Sequence, residues 1–156
     1  MTEDDIIAFA AGLPGVRVLT ASGATGAPEI AWGDSFIYYD PDRDLPDESF
    51  PFATIVIKDY PGFDEASNVN RPDVFRLNIS VGRRSFEGLF GYPPAAQAEH
   101  EATVDHTALD TVIPHPVYAK QGWVCILNPA KRTADQARML LTEAHGRAAT
   151  RHRPRP

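Results

Sequence analysis

Cysteine occurs once in 156 residues, at Cys125, so no disulfide can form within the chain and no CxxC pair exists for metal or redox chemistry. The sequence also lacks a GxxxxGK or GxGxxG run, an HExxH pair, a GxSxG elbow and an SxxK pair. Those absences remove the common phosphate loops, zinc hydrolases and serine acyl-transfer motifs, and no cofactor is implied. No apolar stretch approaches the roughly 20 residues of a membrane helix, and the opening MTEDDIIAFAAGLPG begins with acids where a secretion signal carries basic residues. The expectation is a cytoplasmic protein with no membrane partner. Repeats, heptads and low-complexity tracts are missing too.

Positive charge is scarce. Fifteen lysines and arginines face 21 acids, for a net charge of −6. Arg147, Arg151, Arg153 and Arg155 all fall within the last ten residues, leaving −10 on the rest once their +4 is removed. An acidic body repels nucleic-acid phosphates, so DNA or RNA binding would need a local basic patch or the tail.

What is present is an ordinary globular composition, 43% hydrophobic and 23% charged, in a length that suits one core. The expected layout is a single α+β domain over residues 1–150 and a disordered basic tail over 151–156. Thr2 with Asp5 forms a capping box for a first helix that Pro14-Gly15 ends. Val16 to Ala21 and Glu29 to Tyr39 read as a strand pair, the second interrupted near Gly33. The acidic stretch DPDRDLPDES after Tyr39 reads as a solvated loop.

Phe52 to Lys58 and Val74 to Val81 are the clearest strands. In the second, Phe75, Leu77, Ile79 and Val81 alternate with Arg76, Asn78 and Ser80, which predicts one core face and one wet face. DYPGFDEASNVNRP between them is long enough to be a binding loop. Arg83 to Phe90 and a polar stretch ending near Ile113 read as helices, and Trp123 to Leu127 as a last strand. Thr133 with Gln136 predicts a capped, long C-terminal helix. The fold class is an antiparallel β-meander with the N-terminal helix and the long C-terminal helix packed on one face.

Four segments carry a resemblance: LPGV, WGDSFIYYDPD, FATIVIKDYPGFD and HPVYAKQGWVCILNP. Over nearly the whole chain they resemble a family of bacterial proteins built on a domain of unknown function. Their order is more distantly similar to MmcQ/YjbR-like proteins, which implies a CyaY-like, double-wing fold and, through it, nucleic-acid binding. The acidic loop after Tyr39 and the DYPGFD insertion depart from that pattern.

Candidate site residues come from three places. Lys58 and Asp59 end one strand and Arg76 leaves the polar face of the next, so a carboxylate or phosphate could be gripped there if the strands are neighbours; an ordinary cross-strand ion pair on a wet face is the plainer explanation. Trp32 and Asp34 flank Gly33, as a stacking wall and an orienting acid or as plain core. His115 and Tyr118 lie in a proline-bounded turn, as an acid/base pair or as turn and core residues. Glu99, His100, Glu101, Asp105 and His106 cluster without metal-site spacing, so no metal is expected. Cys125, in mid-strand, reads as an inert buried thiol.

Three functions stay open: binding of a small, anionic metabolite with acid/base chemistry as a further capacity, nucleic-acid binding through Arg83, Arg84, Lys131, Arg132 and the tail, and a protein-interaction patch of Phe36, Tyr38, Tyr60 and Phe63. Oligomeric state is not legible. If Arg76 sits on a wet face, Arg76→Ala should leave folding nearly intact.

Overall fold

The computed structural model describes residues 1–46 and 49–154. Helix α1 spans Glu3–Ala11, opened by the expected capping box: Thr2 Oγ1 accepts from the Asp5 amide at 3.1 Å and the Thr2 amide donates to Asp5 Oδ2 at 2.8 Å. Strands β1 (Val16–Thr20), β2 (Ser35–Tyr39), β3 (Ala53–Val56) and β4 (Arg76–Ser80) follow as an antiparallel meander. Helices α2 (Gly82–Phe90) and α3 (Gln97–His100) lead to β5 (Val112–Pro114) and β6 (Trp123–Leu127), and α4 (Ala134–Arg151) closes the chain. The sheet order is β1-β2-β3-β4-β6-β5, so β6 pairs with β4 in the middle and β5 lies at an edge.

The β-branched and leucine positions of alternating parity explain the core. Ile37, Ile55, Leu77, Ile79, Val124 and Ile126 point to one face, where Ile6 and Ala10 of α1 and Leu140, Leu141 and Ala144 of α4 bury against them. Both helices therefore share one side of the sheet.

Four local expectations need correction. The strand expected from Glu29 begins only at Ser35, because Glu29–Ala31 forms a 3-10 turn and Gly33 adopts φ +90 to fit against Ile57. The stretch before Ile113 is helical only as α3 and its flanking 3-10 turns, after which the chain extends into β5. Thr133 makes no side-chain cap bond of its own; the Asp110 carboxylate, 23 residues earlier, accepts from the amides of Ala130, Arg132 and Thr133 and from the Thr133 hydroxyl. Last, β4 has no wet face. Arg76 is 1% exposed and Asn78 is buried, because the segment after β3 folds back over them.

The expected tail is helical at its first residue, since Arg151 ends α4, and the ring of His152 packs on Tyr39 and meets Asp42. Arg155 and Pro156 lie outside the described residues. Among the described residues, no helix is long and apolar enough to cross a membrane.

Candidate functional site

The face of the sheet away from α1 and α4 is floored by polar side chains and walled by aromatic ones, around a cleft of about 470 Å³. That volume lies within the range of small-molecule sites. Alternation puts Thr54 and Val56 of β3 and Arg76 and Asn78 of β4 on its floor, and the register sets Val56 opposite Arg76 and Thr54 opposite Asn78. Phe36, Phe63, Tyr118 and Trp123 form its walls.

The roof is the segment that joins β3 to β4. Asp59 closes its base, accepting from the Val69 amide at 2.7 Å while its own amide donates to Asn70 Oδ1 at 3.0 Å. Within it, Tyr60 and Asp64 pair as a minimal antiparallel bridge, each amide donating to the other's carbonyl at 2.8 Å. This carries Asp64 over Arg76. The two make a forked ion pair, Nη1 to Oδ1 at 3.0 Å and Nη2 to Oδ2 at 2.5 Å.

Arg76 reaches further partners: Nε donates to Asn78 Oδ1 at 2.8 Å, Nη1 to Ser67 Oγ at 2.9 Å, and Nη2 lies 3.3 Å from His115 Nε2. Four of the five guanidinium N–H groups thus meet an oxygen acceptor, and the fifth points at the imidazole. Burial works against charge on Asp64, but the hydrogen bonds and charge of Arg76 outweigh it and hold the carboxyl below its ordinary range. Burial likewise opposes the Arg76 charge, and Asp64 again prevails, so the guanidinium keeps its proton more firmly than a free arginine.

His115 is 3% exposed, held extended between Pro114 and Pro116. Its Nδ1 accepts from the amides of Val117 and Tyr118, each at 3.0 Å. Burial, with the Arg76 charge second, lowers its pKa to about 3. The ring is therefore uncharged at physiological pH. Tyr118 stands beside it, ring centroids 5.1 Å apart, and is partly exposed at the mouth of the cleft.

The remaining sequence candidates form a second cluster that does not line the cleft. Asp34 is fully buried and accepts from the Ile57 amide at 2.9 Å and from the Tyr60 hydroxyl. Lys58 Nζ donates to the Trp32 carbonyl at 2.5 Å and lies 3.5 Å from Asp34 Oδ1. Among the described residues, Lys58 and Arg76 share no hydrogen-bond or ion-pair partner. Trp32 is 42% exposed and bonds through its indole to the Ala27 carbonyl, on the turn before β2 instead of in a half-buried strand. Tyr60 links the two clusters; burial and then Asp34 raise its pKa, so its hydroxyl keeps its proton and donates to Asp34.

Asp64, Ser67, Thr54 and Asn78 are site residues that sequence reasoning passed over. A buried arginine needs an acid, which points to some partner for Arg76, yet nothing in GFDEAS singles out Asp64 from Glu65. Around the other acidic cluster, His106 Nε2 meets Glu101 at 2.5 Å and His100 stacks on Tyr92 at 3.8 Å. Among the described residues, no group of three or more His, Cys, Asp or Glu is arranged to hold a metal ion. Cys125 is buried and its thiol is pushed up to about 12 by that burial.

Comparison with curated proteins and with solved structures yields no match. A family model described as "Family of unknown function (DUF6194)" matches residues 1–156. The chain, over its whole length, belongs to DUF6194.

Proposed function

We propose that this protein is a small-molecule-binding domain whose site is the aromatic-walled cleft over Arg76. The observation that carries this reading is the combination of an apolar, ligand-sized cavity with a few convergent, buried polar groups. The anionic ligand expected from Lys58 and Arg76 gives way to a less charged one. Lys58 stands outside the cleft and the Arg76 charge is already matched by Asp64. Acid/base chemistry by His115 is disfavoured by its depressed pKa, so binding is the primary reading. The lone buried thiol suits a reducing compartment, and we place the protein in the cytoplasm.

The test uses the two tryptophans. Trp32 lies outside the cleft and Trp123 lines it, so Trp32→Phe leaves one indole reporting on the site. In a thermal-shift screen of metabolites, compounds that raise the melting temperature should also change Trp123 emission, and Thr54→Phe, which fills the floor without adding an indole, should abolish both. Hits that stabilise the protein without altering Trp123, or that survive Thr54→Phe, would remove the cleft as the site.

A second reading, nucleic-acid binding, draws on the MmcQ/YjbR-like resemblance and on a specific cluster. Arg83, Arg84, Arg147 and Arg151 line adjoining grooves between α2 and α4. Lys131 and Arg132 sit at the far end of α4, about 27 Å away along its axis. Electrophoretic mobility at low salt checks it: binding should weaken steeply as salt rises and fall further in Arg147→Ala. The interaction-patch reading loses members to the cleft, since Phe36, Tyr60 and Phe63 line it.

A further inference from the structure

Two buried donors face one another on the floor of the cleft. His115 Nδ1 receives the amides of Val117 and Tyr118 at 3.0 Å each. A proton on Nδ1 would set both amides against a donor, and turning the ring over would set them against carbon, so Nδ1 is the bare nitrogen. The depressed pKa keeps the ring neutral, which leaves its one proton on Nε2. Nε2 lies 3.3 Å from Arg76 Nη2, and an arginine only donates. The other four guanidinium N–H groups have oxygen acceptors in Asn78, Asp64 and Ser67. One N–H of Arg76 and the N–H of His115 therefore have no acceptor among the described residues, although both side chains are more than nine-tenths buried and both line the cleft. Buried donors in this position are costly until an acceptor completes them.

We infer that Arg76 Nη2 and His115 Nε2 form an acceptor site for the carbonyl oxygen of an uncharged, flat ligand whose apolar body lies between Phe63, Tyr118 and Trp123. The inference rests on the cleft being a small-molecule site and names the ligand's chemistry. A neutral carbonyl suits the pair better than a carboxylate, because Asp64 already holds the same Nη2 at 2.5 Å and a second anion would be buried beside it. A cationic head is excluded by the same donors.

Benzamide, benzoate and benzamidine share one ring and differ at the head as neutral acceptor, anionic acceptor and cationic donor. Nitrogen-15 NMR of the unmodified protein at neutral pH should show His115 protonated on Nε2 alone. Benzamide should move the Nε2 and Trp123 indole signals, binding at least roughly tenfold more tightly than benzamidine and more tightly than benzoate. His115→Asn keeps an oxygen for the Val117 and Tyr118 amides but loses the Nε2 proton; it should weaken benzamide about tenfold. A ring protonated on Nδ1, or equal affinities for benzamide and benzamidine, or a His115→Asn protein that binds benzamide normally, would overturn the acceptor site and leave the cleft reading standing. Benzoate binding tightest would overturn the neutral head. If none of the three at millimolar concentration moves the Trp123 signal, the cleft reading falls and the acceptor site with it.

Discussion

Arg76 shows how far one residue's surroundings can reverse an expectation. The strand alternation correctly sends it to the face opposite the core, and a polar face with nothing over it would make Arg76→Ala nearly silent. Here the guanidinium is buried beneath Asp64, and removing it strands a carboxylate in a dry place. The substitution should cost about 3 to 5 kcal/mol in chemical denaturation. Lys58→Ala, at a partly exposed side chain bonded to one carbonyl, should cost about 1 kcal/mol or less. A second consequence at this scale is pH dependence. His115 takes its proton only near pH 3 in the fold but at its ordinary 6.5 when unfolded, so between those values the unfolded chain binds more protons. Stability should therefore rise with pH across that window and level off above it. Burial is the largest cause of the lowered value; the Arg76 charge also opposes protonation of the ring, Asp64 favours it, and His106 is a smaller opposing charge. Denaturation curves between about pH 4 and about pH 8 should show a shallower slope in His115→Asn than in the unmodified protein; parallel slopes would mean that the buried ring is charged.

Among the elements, those set by short-range rules were legible and those set by distant partners were not. The Thr2 and Asp5 capping box, the period-two pattern of β4 and the helical spacing of Ala137, Leu140, Leu141 and Ala144 need only neighbours within a few residues, and all were readable in the sequence. The start of α4 at Thr133 was legible but its cap was not, because the capping bonds come from Asp110, whose carboxyl is held at about 2: burial raises it, but the Thr133 hydroxyl and the amides of Ala130, Arg132 and Thr133 more than offset that. Asp110→Ala should destabilise the protein by about 1 to 2 kcal/mol and lower the helical circular-dichroism signal of the C-terminal segment first on heating. The same division holds for the site. Arg76, His115 and Tyr118 stood out by residue type, whereas Asp64 and Ser67 join them only because the roof folds back, a matter of tertiary contact. Where α2 begins, the entry to β6 presses on it: Gly122 has φ +82, its carbonyl accepts from the amides of Val81 and Gly82, and an added Cβ would meet Gly82 backbone atoms at 2.9 Å. Gly122→Ala should cost more than about 1 kcal/mol, because the obstructing atoms are main chain and the φ is unfavourable as well.

At the scale of the whole molecule, the sheet is sandwiched between unlike covers. One side is a hydrophobic layer of α1 and α4; the other is a thin lid of irregular chain with a small apolar cluster of Val69, Ile113, Cys125 and Leu127 beneath it. Irregular chain on a surface ordinarily breathes independently of the body it covers. This stretch is instead bolted to the central strand by the Asp64 and Arg76 fork and hinged at Asp59, so lifting it means breaking a buried ion pair. Amide protons of Tyr60 and Asp64, which bond only to each other's carbonyls, should consequently exchange with solvent as slowly as those of β4. In Asp64→Asn they should exchange at the rate of an ordinary exposed loop while β4 stays protected, turning a rigid enclosure into a swinging door.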